Sequence, residues 1–577
     1  MLRNGFLGAG LFIALFSGLA AANENSTKRE KRAQEPVKIT AVQWGPTQNV
    51  VDAAKLRVER SAAVQNALKG AKYRMLSLNY IDNSGDKLQP STPPKRFRMV
   101  FYDYTNDRTL VAENDFAGAE TITVREESFQ PNSNDEEFNE AVRILTSDER
   151  FSSFLKGEQL RAFQPMPPVT VLSGTRERLV NVGLEAQGDS VGNEVISVSL
   201  GRGTVIRYDR GAPNTSKAAP DACGIPASQG ATARGVAGQY QLTVSQGATP
   251  LWEMIVIRPS ASSGTMSSGI ELRDVKYKGK SVMKRGHAPV LNVEYPSGVC
   301  GPYRGWQYAE GFFDAPAAGA TDPAPGIRIL AAGQIAQTAL DSGIDMGNFQ
   351  GVAIYTQNDE TVMVSEMNAG WYRYIMEWRF ANDGTIRPRY GFGATNNSCV
   401  CSVHNHHVYW RFDFDIVSPT NKVFQVERGR KFLQPIVTEL TRLKSLQTNR
   451  SILVQNSTSD EAYMLVPNKT DGQADNYGRS DIWVLKYKNV NGGTTVQNEI
   501  DDGWPSINGP CTATDGSCIN INQFINNESV AGEDVVIWYG AHFVHSDGAN
   551  LLEENRINPS ILSGTHVVGP DIRPVRW

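Results

Sequence analysis

Of the seven histidines in this 577-residue chain, three fall within four positions, His404-Asn405-His406-His407. The residues that follow, Val408, Tyr409 and Trp410, favour a strand. In a strand, residues i and i+2 share a face about 7 Å apart. His404 and His406 can therefore reach one ion, and His407 points to the opposite face. Imidazole suits copper, zinc, iron or nickel, with copper bound most tightly. Two such histidines also read as a surface or hydrogen-bonded pair, so a metal site needs a third ligand from a distant strand. His542-Phe543-Val544-His545, next to the apolar run 535–539, offers one. Farther along the first strand, Asp413 and Asp415 share a face of their own. They stand an odd number of steps from His406, which turns them away from the imidazoles. There they suit a hard cation such as calcium or manganese, or stand as solvated or salt-bridged carboxylates.

The elements that must position these residues are mostly strands. From residue 246 to 577 the pattern is nearly all β, with runs at 251–257, 351–356, 372–380, 407–416 and 534–539. Two smaller α+β units precede it, at 36–135 and 136–245. The first has helical periodicity at 51–68 and strands at 73–80 and 96–104. Asn134 is placed to cap a helix through 136–145 that opens the second. The architecture expected is mainly β: a large C-terminal antiparallel β-sandwich preceded by two small α+β domains.

Residues 1–22 read as a secretory signal, with Arg3, an apolar run at 5–21 and small residues Ala20, Ala21 and Ala22 at a cleavage site. Residues 23–35 form a propeptide or linker, and Lys31-Arg32 is a dibasic processing site. Six sequons, at Asn214, Asn396, Asn449, Asn456, Asn468 and Asn527, fit export. So does the even set Cys223, Cys300, Cys399, Cys401, Cys511 and Cys518, in which Cys511 and Cys518 flank a turn and are expected to pair. Cys399 and Cys401 lie near the histidines and read as bridge residues or as metal ligands. A net charge of −4 supplies no basic excess for nucleic acid. No stretch after the signal is long and apolar enough for a membrane span.

His404-x-His406 followed by Arg411-Phe412-Asp413-Phe414-Asp415 resembles the copper-binding strand of the copper amine oxidases and the aspartates beyond it. Asp534-Val535-Val536-Ile537-Trp538, running without a gap to His545, is similar to the segment that carries the family's third copper histidine. The resemblance makes His404, His406 and His545 the copper ligands, and Asp413, Asp415 and Asp534 a peripheral calcium or manganese site. Gly370-Trp371-Tyr372-Arg373-Tyr374, with the turn Asn382-Asp383-Gly384, is similar to the strand whose tyrosine becomes the family's topaquinone, so Tyr372 takes the precursor position. Asp341-Ser342-Gly343 resembles the segment of the catalytic aspartate, and Tyr295 matches the tyrosine that hydrogen-bonds the cofactor. The specific motifs lie between 270 and 577.

The resemblance implies a secreted, dimeric enzyme that converts a primary amine, O2 and water to aldehyde, ammonia and hydrogen peroxide. Copper(II) beside Tyr372 would promote its oxidation to a quinone, which takes up the amine and accepts its electrons. Asp341 would remove the substrate proton as general base. The chain departs from the family at the cofactor motif, where Asn-Tyr-Asp/Glu is replaced by Trp371-Tyr372-Arg373. The guanidinium at Arg373 would repel a protonated amine, or hold a carboxylate on the substrate. Two alternatives follow from that departure. One is a copper enzyme of this fold with unmodified Tyr372 and a different reaction. The other is a non-enzymatic extracellular copper-binding protein.

Overall fold

The computed structural model describes residues 36–81, 89–165, 168–186, 194–206, 224–225, 229, 236–264, 266–294, 303–395, 397, 399–400, 404–430, 432–445, 447–469, 471–472, 480–487, 521–545 and 566–577. Residues 1–35, Tyr295, every cysteine except Cys399, and the sequon asparagines Asn214 and Asn396 lie outside them.

The chain is mainly β, and its core is a pair of facing sheets. Among the described residues one sheet has ten strands. In spatial order they are Val37–Gln43, Gln239–Gln246, Thr249–Ile257, Glu271–Tyr277, Lys280–Glu294, His404–Phe414, Val535–His545, Ile482–Lys486 and Leu440–Arg442, with Tyr303–Arg304 beside Lys280–Glu294. The other has twelve, and its centre runs Val352–Gln357, Glu360–Ala369, Tyr372–Ala381, Ile386–Ala394 and Asp571–Arg576. Nearly all pairs are antiparallel; Ile327–Ile329 and Val352–Gln357 run parallel. The central strands are buried on both sides, because loops and smaller clusters cover their outer faces. They therefore carry long unbroken apolar runs such as Val535-Val536-Ile537-Trp538.

Between the sheets lies one aromatic-rich core that contains Trp252, Trp378, Trp410, Tyr372, Tyr374 and Tyr390, all fully buried. Alternation decides which residues enter it. Even-numbered Trp410, Phe412 and Phe414 face this core, while Tyr409 faces a second cluster with Trp483 and Trp538 on the outer side.

Two smaller sheets complete the described chain. Tyr73–Ile81, Arg96–Asp103, Arg108–Asp115 and Thr123–Glu127 form a four-stranded sheet packed by helices Gln48–Glu59 and Ala62–Ala67. The helical run expected at 51–68 is thus two helices. Ser61 interrupts it in an extended conformation and caps the second through Oγ, which accepts from Val64 N at 3.3 Å. The five-stranded sheet that includes Arg178–Ala186 and Glu194–Ser199 packs on helix Asp135–Ser147. Asn134 Oδ1 caps that helix by accepting from Glu137 N at 2.9 Å. The first strand, Val37–Gln43, pairs with Gln239–Gln246 in the large sandwich rather than with the four-stranded sheet. No helix among the described residues is long and apolar enough to cross a membrane.

Candidate metal centre

His404–Phe414 and Val535–His545 are antiparallel neighbours, and the register sets His404 directly opposite His545. Residues that face each other across such a pair project to the same side, so His404, His406 and His545 all enter the space between the sheets. His404 Nε2 lies 3.0 Å from His406 Nε2 and 3.0 Å from His545 Nδ1. All three rings are buried, and their ligand atoms group within 4.8 Å of one another.

These distances test whether the residues fit a metal. Metal–nitrogen bonds of about 2.0–2.1 Å at angles between a right angle and the tetrahedral value put ligand nitrogens about 2.8–3.4 Å apart. Both separations from His404 Nε2 fall in that range. A buried set of three imidazoles without a carboxylate is a donor set for a borderline transition ion.

Tyr372 enters the same space from the facing sheet. Its hydroxyl lies 2.6 Å from His404 Nε2, and its ring meets His406 edge-on at 4.8 Å. Tyr374, two residues on and so on the same face, stacks on Tyr372 at 5.5 Å with planes 7° apart. Phe392, on the adjoining strand, packs 4.9 Å from the His406 ring. Trp371 is buried beside Tyr372 at 6.2 Å, and Phe163 from the five-stranded sheet closes on it edge-to-face at 5.8 Å. The small domain therefore supplies one wall of the centre, which strand periodicity in the sandwich alone does not reveal.

Arg373 faces the other way. Adjacent residues in a strand project to opposite sides, so Arg373 leaves through the outer face of the sheet. There it meets Asp345 in a buried two-point ion pair, Nε to Oδ1 at 2.5 Å and Nη2 to Oδ2 at 2.9 Å. The expectation that its charge repels an amine or holds a substrate carboxylate is corrected: the charge is spent on Asp345, away from Tyr372. Beside that pair lies Glu366, which accepts from Ala339 N at 2.8 Å. Burial pushes its carboxyl up to about 8, opposed by the Ala339 hydrogen bond.

Asp341 sits on the short helical turn Ala339–Ser342 and is exposed. Its Oδ2 accepts from Thr338 N at 2.7 Å and Thr338 Oγ1 at 2.8 Å, which closes a capping box.

Asp413, Asp415 and Asp534 form a second group of potential ligands within 4.8 Å. Asp413 and Arg411 project to the outer face, with Arg411 Nη1 3.8 Å from Asp413 Oδ2. Of the sequons, that at Asn456 is closed to modification. Its amide is buried and donates to Ile416 O at 2.7 Å and Ser418 Oγ at 2.8 Å.

A sandwich in which one sheet contributes three histidines and the other a tyrosine defines a class, and comparison with solved structures supplies it. A copper-containing benzylamine oxidase from Hansenula polymorpha matches over 90% of this chain and 96% of its own, with a TM-score of 0.57 and 14% identity. The Pichia pastoris lysyl oxidase matches over 94% and 92%, at 0.52 and 13%. An amine oxidase from Aspergillus nidulans matches over 95% and 89%, at 0.53 and 13%. The chain has the copper amine oxidase fold. No family model matches the sequence, and no curated protein matches it.

Proposed function

We propose that this chain is a secreted copper-dependent amine oxidase that converts a primary amine, O2 and water to aldehyde, ammonia and hydrogen peroxide. The observation that carries the reading is the Tyr372 hydroxyl, 2.6 Å from a nitrogen of a buried three-histidine group. His404, His406 and His545 would hold copper(II). That ion, with a topaquinone made from Tyr372, would supply the electron sink and its reoxidation by O2. Tyr374 keeps the Tyr372 ring in plane by stacking, and Trp371 with Phe163 keeps water from one edge. The reading assigns proton abstraction to Asp341 and a hydrogen bond to the cofactor to Tyr295. Asp341 must then give up its hold on Thr338. Asp413, Asp415 and Asp534 would hold calcium or manganese as a structural ion.

Export is supported by the even set of six cysteines, which an oxidising compartment would keep as disulfides. It is supported further by exposed sequons at Asn449 and Asn527. A homodimer belongs to the same reading.

A second reading is a copper enzyme of this fold in which Tyr372 stays a phenol. Trp371 favours it, because a buried indole stands beside the ring where the resemblance leads one to expect an asparagine. Peptide mass analysis at Tyr372, with phenylhydrazine labelling of copper-loaded protein, separates the two. A modified tyrosine and a coloured adduct support the oxidase. Native tyrosine with one copper per chain and no adduct sinks it in favour of the second reading.

A further inference from the structure

The strands that hold His404, His406 and His545 carry a second histidine pair on their opposite face. Their register sets His407 directly across from His542, and the next strand sets Asn292 directly across from His407. The three side chains form one cross-strand row, on the same side of the sheet. All are buried, at 1%, 3% and 1% exposure for His407, His542 and Asn292.

Within the row, His407 Nδ1 lies 2.8 Å from His542 Nδ1. His542 Nε2 lies 3.0 Å from Asp481 Oδ1. A proton on Nε2 would face that carboxylate and leave the Nδ1 lone pair toward His407, as in a metal-binding imidazole whose far nitrogen lies beside a carboxylate. Gly540 makes it possible: a Cβ there would come within 2.7 Å of His542 Nε2. Among the described residues neither polar atom of the Asn292 amide has a hydrogen-bond partner. Its oxygen is therefore available as a third donor in a row otherwise made of imidazoles. The buried charges behind the row are Asp481, Asp471 and Lys444. Lys444 Nζ donates to Gly540 O at 2.7 Å and lies 3.6 Å from Asp481 Oδ1, and Tyr539 donates to Asp471 Oδ2 at 2.6 Å.

We propose that His407 and His542, with Asn292, form a second transition-metal site on the back of the histidine strand, suited to zinc(II) or copper(II). Nitrogens 2.8 Å apart match two neighbouring ligands on one ion at bonds of about 2.0–2.1 Å. Imidazole with an amide oxygen selects this class over calcium or magnesium. The inference does not depend on the fate of Tyr372.

The test is a metal count on the full chain. Metal-free protein is loaded with copper to saturation and then with zinc, desalted, and its summed copper and zinc measured. Wild type is expected to hold one more ion per chain than His542→Phe. Asp481→Asn is expected to bind that ion about 10–100-fold more weakly, as loss of an anchoring carboxylate does. Equal counts in wild type and His542→Phe overturn the proposal, leaving a plain N–H···N hydrogen bond between the rings. Should His542→Phe not fold, the summed count on wild type in calcium-containing buffer decides: two copper and zinc ions per chain support the site, and one or fewer overturns it.

Discussion

Arg373 and Asp345 are joined by two hydrogen bonds on the side of the twelve-stranded sheet that faces away from Tyr372, both almost wholly buried. Removing one partner of such a pair strands the other charge, at a cost of about 3–5 kcal/mol. Arg373→Glu, which sets a third acid beside Asp345 and Glu366, is expected to lower stability by at least that much. The double variant Arg373→Leu/Asp345→Leu should lie close to wild type. Urea midpoints of the three proteins check this. A preference for acidic or basic amines that changes in the double variant, with stability intact, would return Arg373 to the substrate.

Glu366 makes stability depend on pH. Its carboxyl is raised from 4.5 to about 8, burial being the largest cause. The folded chain therefore holds a proton that the unfolded chain releases between those values. The stabilisation is complete below the unfolded value and is lost as pH rises through about 8. The slope from one group cannot exceed about 1.4 kcal/mol per pH unit. Unfolding midpoints measured from pH 6 to 9 should fall in wild type and fall less in Glu366→Gln, which keeps an acceptor for Ala339 N. Parallel curves would show that Glu366 does not titrate in this range.

How much of this was legible in the sequence follows from the period of two. His404 and His406 on one face, His407 on the other, and Asp413 turned away from the imidazoles all follow from counting along one strand. The same count separates Arg373 from Tyr372, but its partner Asp345 is 28 residues away and no local pattern points to it. Register was not legible. Only pairing with Val535–His545 brings His545 opposite His404 and His542 opposite His407, and no local pattern fixes it. Resemblance, not spacing, singled out His545. The contact of Phe163 with Trp371 crosses between domains, and nothing in either segment announces it.

Asp413, Asp415 and Asp534 put three carboxylates within ligand reach of one point, with the Arg411 guanidinium 3.8 Å from the first. Like charges so close are held together best by a cation. Calcium at about 100 times its dissociation constant should add about 2.7 kcal/mol to stability, seen as a rise of several degrees in Tm. Asp534→Asn should remove most of that rise while the copper content stays unchanged. A wild-type Tm indifferent to calcium and manganese would leave the three as an acidic cluster paired with Arg411.

The centre between the sheets makes the sharpest separation of roles. His545 reaches it from a strand far along the chain, whereas His404 and His406 come from one strand and stay in place without it. His545→Ala removes one of three nitrogens and opens a buried void, so copper per chain should fall by about one relative to wild type, with Tm lowered toward that of metal-stripped wild type. Tyr372→Phe keeps the ring and its stacking on Tyr374 and loses only the hydroxyl that lies 2.6 Å from His404 Nε2. It should retain copper yet form no phenylhydrazine adduct. Metal content and adduct formation thus respond to different residues. If Tyr372→Phe lost copper as completely as His545→Ala, the phenol would be a ligand that holds the ion in place, and its assignment as cofactor precursor would fail.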